Sequence, residues 1–440
     1  MHADTNIDEH THPPINTSTS NTTEVSRLWR NRNFVLLATA QGISNIGDFF
    51  FTTTLLVWIF DLTHQAAAVG SIWIAEYAPI FLIGPIAGVF VDRWNRRHTM
   101  LIADLVRVGL TLLPLLVAGA LRLPIIYISV FALGAFSRFF APAKAGLLQV
   151  IVPEEQRGQA ASVSQTMMAI SFILGPAIAT PVYTLAGPTV ALIINALSFG
   201  ASALCIGLIR VRRELAHPYA FKSQEQAAKQ GINLVVNEFK DGLGFVFKTR
   251  TLLVLIFTSL LAMLGAGALN TLDIVFVEQR LHAPTTLYGS LMAVGGIGTL
   301  AGAVICGLLA KKLRPQWLVS GGIALLGLGL VVYSYQTVFL AALILNFLLG
   351  IPQAGLNIGF GPLVTNVTPR AMMGRVMSVI ETGMFGFSLL SATLASTLGQ
   401  FIRVDILFGI CGGLVGVAGL ISLFLFPRSD KQLSSADSSL

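Results

Sequence analysis

Asp48, Glu76, Asp104, Arg107, Arg138, Asp273 and Glu381 each interrupt a long apolar run. At mid-membrane a charged side chain costs roughly 2.5–3.5 kcal/mol on insertion scales, so each needs a reason to be there. Asp48 is placed to do chemistry. Gln41, Asn45, Asp48 and Thr52 follow i, i+4, i+7 and i+11 spacing and share one helical face. A polar stripe with a central carboxylate suits a water-filled cavity, and a carboxylate there can take up and release a proton. Glu76 is a second carboxylate of this kind, and Arg138 is a counter-ion for either. Asp104 and Arg107 lie three apart near one end of their run and can neutralise each other, which favours a structural role. In the second half, Asn270 and Asp273 share a face. Asn346, Gln353 and Asn357 recur around Gly350, and Ser378, Glu381 and Ser388 recur on the following run. These are candidate cavity walls, Glu381 foremost. For all of them the plainer alternative is hydrogen bonding between helices.

Other chemistry is not supported by the residue pattern. The chain has no P-loop, no HExxH and no nucleophile elbow, so neither an enzyme nor ATP-driven transport is expected. Cys205, Cys306 and Cys411 sit inside apolar runs without metal-type spacing, so no disulfide, metal or cofactor is expected. His2, His10 and His12 fall in a polar first segment, residues 1–32, rich in Thr, Asn and Ser. It has no apolar signal-peptide core and reads as a disordered tail.

The elements that must hold these side chains are membrane helices. Of 440 residues, 54% are hydrophobic and only 11% are charged, whereas soluble domains carry about 25% charged residues. Windows of roughly 20 residues predict twelve spans: Phe34–Phe60, Ala66–Val91, Met100–Ala120, Pro124–Val150, Gln159–Leu185 and Pro188–Ile209, then Leu252–Val277, Thr286–Ala310, Gln316–Ser334, Val338–Val364, Gly374–Leu398 and Val404–Phe426. A polar linker, residues 210–250, separates six spans (33–209) from six more (251–427), and 428–440 form a second tail. Apolar residues at helical spacing near Asn233–Phe247 predict an amphipathic helix along the inner leaflet.

The net charge of +7 invites a nucleic-acid partner, but its placement speaks for topology instead. With both tails cytoplasmic, most of the basic residues fall in the tails, the linker and the even-to-odd turns, as positive-inside orientation requires. Arg122, Arg280 and Arg403 fall near the outer face. The sharpest basic turn joins spans 2 and 3 and reads Gly88-Val89-Phe90-Val91-Asp92-Arg93-Trp94-Asn95-Arg96-Arg97. An internal repeat supports two halves: Pro153, Gly158, Ser162 and Val163 recur at identical spacing as Pro369, Gly374, Ser378 and Val379. The basic turn has a weaker echo in Gly307 to Lys312, with Lys311 at the aspartate position.

The Gly88–Arg97 turn resembles the loop between helices 2 and 3 of the major facilitator superfamily (MFS) of transporters, with Asn95 where glycine is common. Ser44-Asn45-Ile46-Gly47-Asp48, Gly84-Pro85, Ala103-Asp104-Leu105-Val106-Arg107, Phe139-Phe140-Ala141-Pro142-Ala143 and Asn195-Ala196-Leu197-Ser198-Phe199 resemble its macrolide-efflux and enterobactin-exporter branch of drug:proton antiporters. Asn195 stands where many relatives show Asp. The resemblance runs from about Arg30 to Phe426.

The resemblance implies a cytoplasmic latch. Asp92 would face the N-terminus of helix 11 near Gly374, with Arg375 adjacent, since helix N-termini favour a carboxylate. Gly88 would allow close approach, and Arg93, Arg96 and Arg97 would add ionic contacts, to Glu154 or Glu155. It also implies a coupling role for Arg138, although the Gln-x-Gly that usually follows is absent. Gly175-Pro176 resembles the antiporter signature of helix 5, where Pro bends the helix between the halves. Ala179 and Thr180 replace the glycines expected there, which weakens the inference to antiport.

The expectation is therefore an all-α integral membrane protein of two pseudo-symmetric six-helix bundles. It is expected in a bacterial plasma or inner membrane, as a monomer, exporting an amphipathic drug-like compound or natural product by proton-coupled alternating access. Its partners would be the small-molecule substrate, protons and the bilayer, with no nucleic acid. The alternatives are a lipid or siderophore transporter of the same fold, and a non-transporting membrane sensor or assembly factor.

Overall fold

A computed structural model describes residues 28–91, 94–211, 237, 239–310, 312–369 and 372–426. In a bilayer each backbone N–H and C=O must be satisfied within the chain, so long apolar runs become helices. Numbered in chain order, they are α1 (Arg32–Thr63), α2 (Ala66–Leu82), α3 (Gly84–Val91), α4 (Arg96–Leu112), α5 (Arg122–Ile151), α6 (Arg157–Leu208), α7 (Arg250–Gln279), α8 (Tyr288–Leu309), α9 (Pro315–Ser334), α10 (Phe339–Val367), α11 (Met373–Leu398) and α12 (Val404–Leu425). Among the described residues, ten helical segments are long and apolar enough to cross a membrane.

Two features connect that count to the expected spans. The segment Glu154–Leu208 has 55 residues, about 80 Å of helix at ~1.5 Å per residue, against a hydrocarbon core of about 30 Å. Gly187 breaks it with φ 76° and ψ 175°, a backbone that glycine adopts readily, and Pro188 opens the next stretch. The chain turns where the sequence places the boundary between spans 5 and 6. Span 2 is divided into α2 and α3 at Ile83, because Pro85 has no N–H to continue the ladder. Reading α6 as two passes and α2–α3 as one gives twelve.

Polar residues set several boundaries that hydropathy misplaces. The Asn31 side chain accepts the N–H groups of Asn33 and Phe34 at 3.1 and 3.2 Å and starts α1. Asn95 accepts the N–H of His98 at 3.1 Å, so α4 starts at Arg96, four residues before the apolar run. Asn31 also donates to the Ile151 carbonyl at 2.7 Å, and Asn33 exchanges bonds with Arg210. The start of α1 and the ends of α5 and α6 thus share the face bearing the basic turn, called here the inner face.

Within the first half α1 packs along α6, and α4 packs on α5 and α6. Within the second half α8 packs on α10, α9 on α12, and α7 on α11 and α12. Gly327 and Gly412 bring the backbones of α9 and α12 into direct contact, the small-residue packing that lipid favours. Phe276, Tyr333 and Phe408 stack near the helix ends of the second half that lie away from the inner face, with ring centroids 4.8–5.8 Å apart. The halves meet through α2 against α11 and α6 against α8.

The expected tails lie outside the described residues, apart from residues 28–32 of the first. Of the expected amphipathic helix near Asn233–Phe247, residues 233–236 and 238 also lie outside the described residues, and residues 239–248 are helical and sit against the start of α11. Arg375 pairs with Asp241 at 3.2 Å there, and Gly242 lies against the Arg375 carbonyl.

Candidate functional site

The halves are sealed towards the outer face. Gly70 of α2 sits against Ser396 and Thr271, and Gly289 of α8 against the Pro176 carbonyl and Thr180. Trp73 donates to the Asn270 carbonyl at 3.2 Å, and Tyr77 meets Phe385 with ring centroids 6.0 Å apart. Towards the inner face, small and polar side chains are exposed instead: Ser162 and Thr166 on α6, Asn357 and Thr365 on α10, and Ser378 and Glu381 on α11. Gly374 has open space where a side chain would project.

Asp48 lies midway along α1 yet is exposed. Charged residues of neighbouring helices surround it, so that exposure faces a gap between helices. The next residue back, Gly47, packs tightly on Asn195 and Ser198 of α6, which fixes the rotation of α1. Asp48 is within electrostatic reach of Arg107 and Asp104. Glu76, half-buried on α2, is within reach of Asp48 and Arg138. The α2–α5 crossing explains this: a side chain on Gly134 would lie 3.2 Å from the Glu76 carbonyl, and Arg138 is one turn further along α5. The Arg138 Nε is buried and has no hydrogen-bond partner. The structure thus brings Asp48, Glu76 and Arg138 into one mid-membrane group.

Asp104 and Arg107 form a buried polar network beside it, in which the Arg107 Nε has no hydrogen-bond partner. The Arg107 Nη1 donates to Asp104 at 3.1 Å, and the Ser202 hydroxyl donates to the other Asp104 oxygen at 2.6 Å. The second Arg107 Nη donates to the Ser137 hydroxyl at 2.7 Å. The Phe140 and Phe199 rings lie 4.9 and 5.3 Å from the guanidinium carbon, a cation–π arrangement.

The other predicted residues make contacts of their own. Gln41 is buried and accepts from the Ser164 hydroxyl at 3.3 Å, so it joins α1 to α6. The Asn45 Nδ2 is buried without a partner. Asn346 donates to the Leu291 carbonyl at 2.7 Å and joins α10 to α8. Asp273 accepts from the Tyr333 hydroxyl at 3.0 Å inside the second half. Gln353 is half-buried on α10. Gly175 presses on the α1 backbone of its own half, and the Pro176 carbonyl meets Gly289 of α8, with helical backbone on either side of the pair.

Of the basic turn, Gly88 lies in α3, and Asp92 and Arg93 lie outside the described residues. Arg96 donates to the Gly146 carbonyl at 3.0 Å, and Arg97 to the carbonyls of Ile206 and Gly207. Both therefore bind helix carbonyls of their own half, the preferred place for a cation, rather than Glu154 or Glu155.

Sequence reasoning missed a polar cluster at the outer end of α1. The Asp61 carboxylate accepts the Tyr183 hydroxyl and the Thr285 hydroxyl, both at 2.9 Å. His64 lies 3.5 Å from Glu278. The available signal was an aspartate in the last turn of a helix, where it opposes the helix dipole.

Comparisons agree with this architecture. The MFS-type transporter YkuC of Bacillus subtilis is 27% identical over 412 residues, covering 92% of this chain and 95% of that protein. Macrolide efflux protein A of Streptococcus pyogenes is 22% identical over 307 residues, covering 69% of this chain and 73% of that protein. The crystal structure of the nucleoside transporter NupG superposes with a TM-score of 0.72 at 12% identity, covering 90% of this chain and all of that one, a likeness of fold. The family model of the Major Facilitator Superfamily matches residues 37–284 and 255–439, and the chain belongs to that family of transporters.

Proposed function

We propose that this transporter exports an amphipathic drug-like compound or natural product in exchange for protons, by alternating access. The observation that carries the reading is the mid-membrane group of Asp48, Glu76 and Arg138 below a sealed outer face and beside exposed inner helix ends. Arg138 is within reach of Glu76, and the arginine within reach of Asp48, Arg107, is already bound to Asp104, so Asp48 is left to exchange a proton or to meet a cationic part of a substrate. The efflux function named for the Streptococcus pyogenes relative supports the direction. The aromatic rings of Trp73, Tyr77 and Phe385, close to the seal, would receive the apolar part of the substrate.

Alternating access would proceed by rocking 33–209 against 251–427 around this group. The basic face is assigned to the cytoplasm of a bacterial cell, with both termini there and a monomer as the working unit. The open space at Gly374 would receive Asp92 when the inner side closes, with Gly88 allowing the approach and Arg93 and Arg375 alongside. That movement would form the inner latch.

The test uses purified protein in liposomes loaded with a pH-sensitive dye, with imposed gradients of cationic dyes, macrolides and siderophores. Proton movement coupled to one substrate, and lost in Asp48→Asn, is the expected result. Substrate flux without proton movement would overturn the coupling, and a folded protein that moves nothing would overturn the transport reading for this panel.

A further inference from the structure

We propose that Asp61 is the centre of an outer latch, which holds the outer face shut and must release before the cavity can open outward. The inference rests on the alternating-access reading above and adds a residue that reading does not use.

Asp61 lies in the last turn of α1, beside carbonyl groups that carry partial negative charge, so its own helix disfavours it. Its contacts explain why it is there. One carboxylate oxygen, Oδ2, accepts the hydroxyl of Tyr183, from α6 of the same half. The other, Oδ1, accepts the hydroxyl of Thr285, from the opposite half. Thr285 opens a single 3-10 turn, Thr285–Leu287, that runs directly into α8. One oxygen is thus anchored at home and the other spans the joint. The anchor matters because Tyr183 holds the carboxylate in the orientation that Thr285 needs.

His64 extends the same joint. It ends α1 with φ 51°, its N–H bonded to the Phe60 carbonyl, and its ring lies 3.5 Å from Glu278 at the end of α7. That pair is exposed, with side-chain accessibilities of 67% and 37%, so water and salt screen it. The half-buried hydroxyl-to-carboxylate bond is the stronger contact, because hydrogen bonds to a charged group exceed exposed ion pairs in net strength. The seal around it is close packing at Gly70 and Gly289, with one neutral, exposed hydrogen bond from Trp73 to the Asn270 carbonyl. Asp61 adds to them a charged, half-buried hydrogen bond that opening must break.

The experiment measures two distances across the joint by spin labelling in lipid nanodiscs, with Cys205, Cys306 and Cys411 replaced, all three being free thiols. The outer pair is Leu185→Cys with Phe401→Cys, and the inner pair is Gln149→Cys with Asn366→Cys, all exposed positions. The expected result is a rise of about tenfold in the outward-open to inward-open ratio for Asp61→Ala, the scale of one charged hydrogen bond. Thr285→Val, which keeps shape and removes the donor, is expected to match it and serves if Asp61→Ala does not fold. Tyr183→Phe is expected to shift the ratio less. Combining Asp61→Ala with Thr285→Val should add little to either alone, because both remove the same bond. Gly289→Leu, which pries α6 from α8, separates the two readings. If Gly289→Leu moves both distances and neither Asp61→Ala nor Thr285→Val does, the latch is wrong while alternating access stands. If no variant, substrate or pH moves either distance, alternating access itself fails and the latch with it.

Discussion

Arg107 and Asp104, one turn apart on α4, bind each other at 3.1 Å in a site where both are almost fully buried. Ser202 and Ser137 take up further polar capacity of the pair. A buried ion pair is weak evidence for net stabilisation, but removing one partner strands the other charge, at a cost of about 3–5 kcal/mol. Asp104→Ala is therefore expected to lower thermal stability sharply, measured by thiol-reactive dye melting in detergent. Asp104→Ala combined with Arg107→Met should recover part of that loss. Equal loss in the double variant would show that the pair is not a closed unit.

Gly70 is expected to be intolerant of side chains. A methyl there meets Ser396 and Thr271 across the joint between the halves. Gly70→Val would hold α2 off α11 and weaken the outer seal. Thiol labelling from outside at Asn270→Cys should become faster, and inward labelling at Ser378→Cys slower. Unchanged labelling at both positions would show that α2 and α11 do not form the seal.

The sequence carried the helices further than it carried their neighbours. The apolar runs located the helices, and Ala186-Gly187-Pro188 located the break in α6. Helical spacing also identified the stripe of Gln41, Asn45 and Asp48. It could not say what each member meets, because α1 crosses α6 and one face changes partner along its length. Gln41 is bound to Ser164, while the Asp48 side chain is exposed. The same limit applies to Asn346, whose amide bond to the α8 backbone has no signal in the spacing. Asp61 was illegible because an acid at the end of an apolar run looks like the start of a loop. Its meaning depends on Thr285, more than two hundred residues away.

Asp48 and Gln41 are predicted to separate in function despite sharing a face. Gln41→Ala removes a hydrogen bond between helices, a net loss of about 0.5–1.5 kcal/mol, and should leave proton exchange intact. Asp48→Asn should leave stability nearly unchanged and abolish proton exchange in the liposome assay. Loss of exchange in Gln41→Ala with melting unchanged would place Gln41 in the coupling path instead.

Asp273 gives the last prediction. It was expected on a cavity wall, and the structure bonds it to the Tyr333 hydroxyl at 3.0 Å, with Tyr333 stacked on Phe276 and Phe408. Asp273→Asn keeps an oxygen that can accept that hydroxyl, so it should cost under about 1 kcal/mol and spare transport. Tyr333→Phe keeps the ring stack but leaves the carboxylate short of a donor, a loss of about 1–3 kcal/mol. Asp273→Ala strands the hydroxyl and opens a gap beside the stack, so it should be at least as damaging. The order Asn, Phe, Ala in melting temperature, with proton exchange retained in Asp273→Asn, is the signature of a structural carboxylate. Loss of exchange in Asp273→Asn at unchanged stability would instead give the second half a proton site of its own, opposite Asp48 and Glu76.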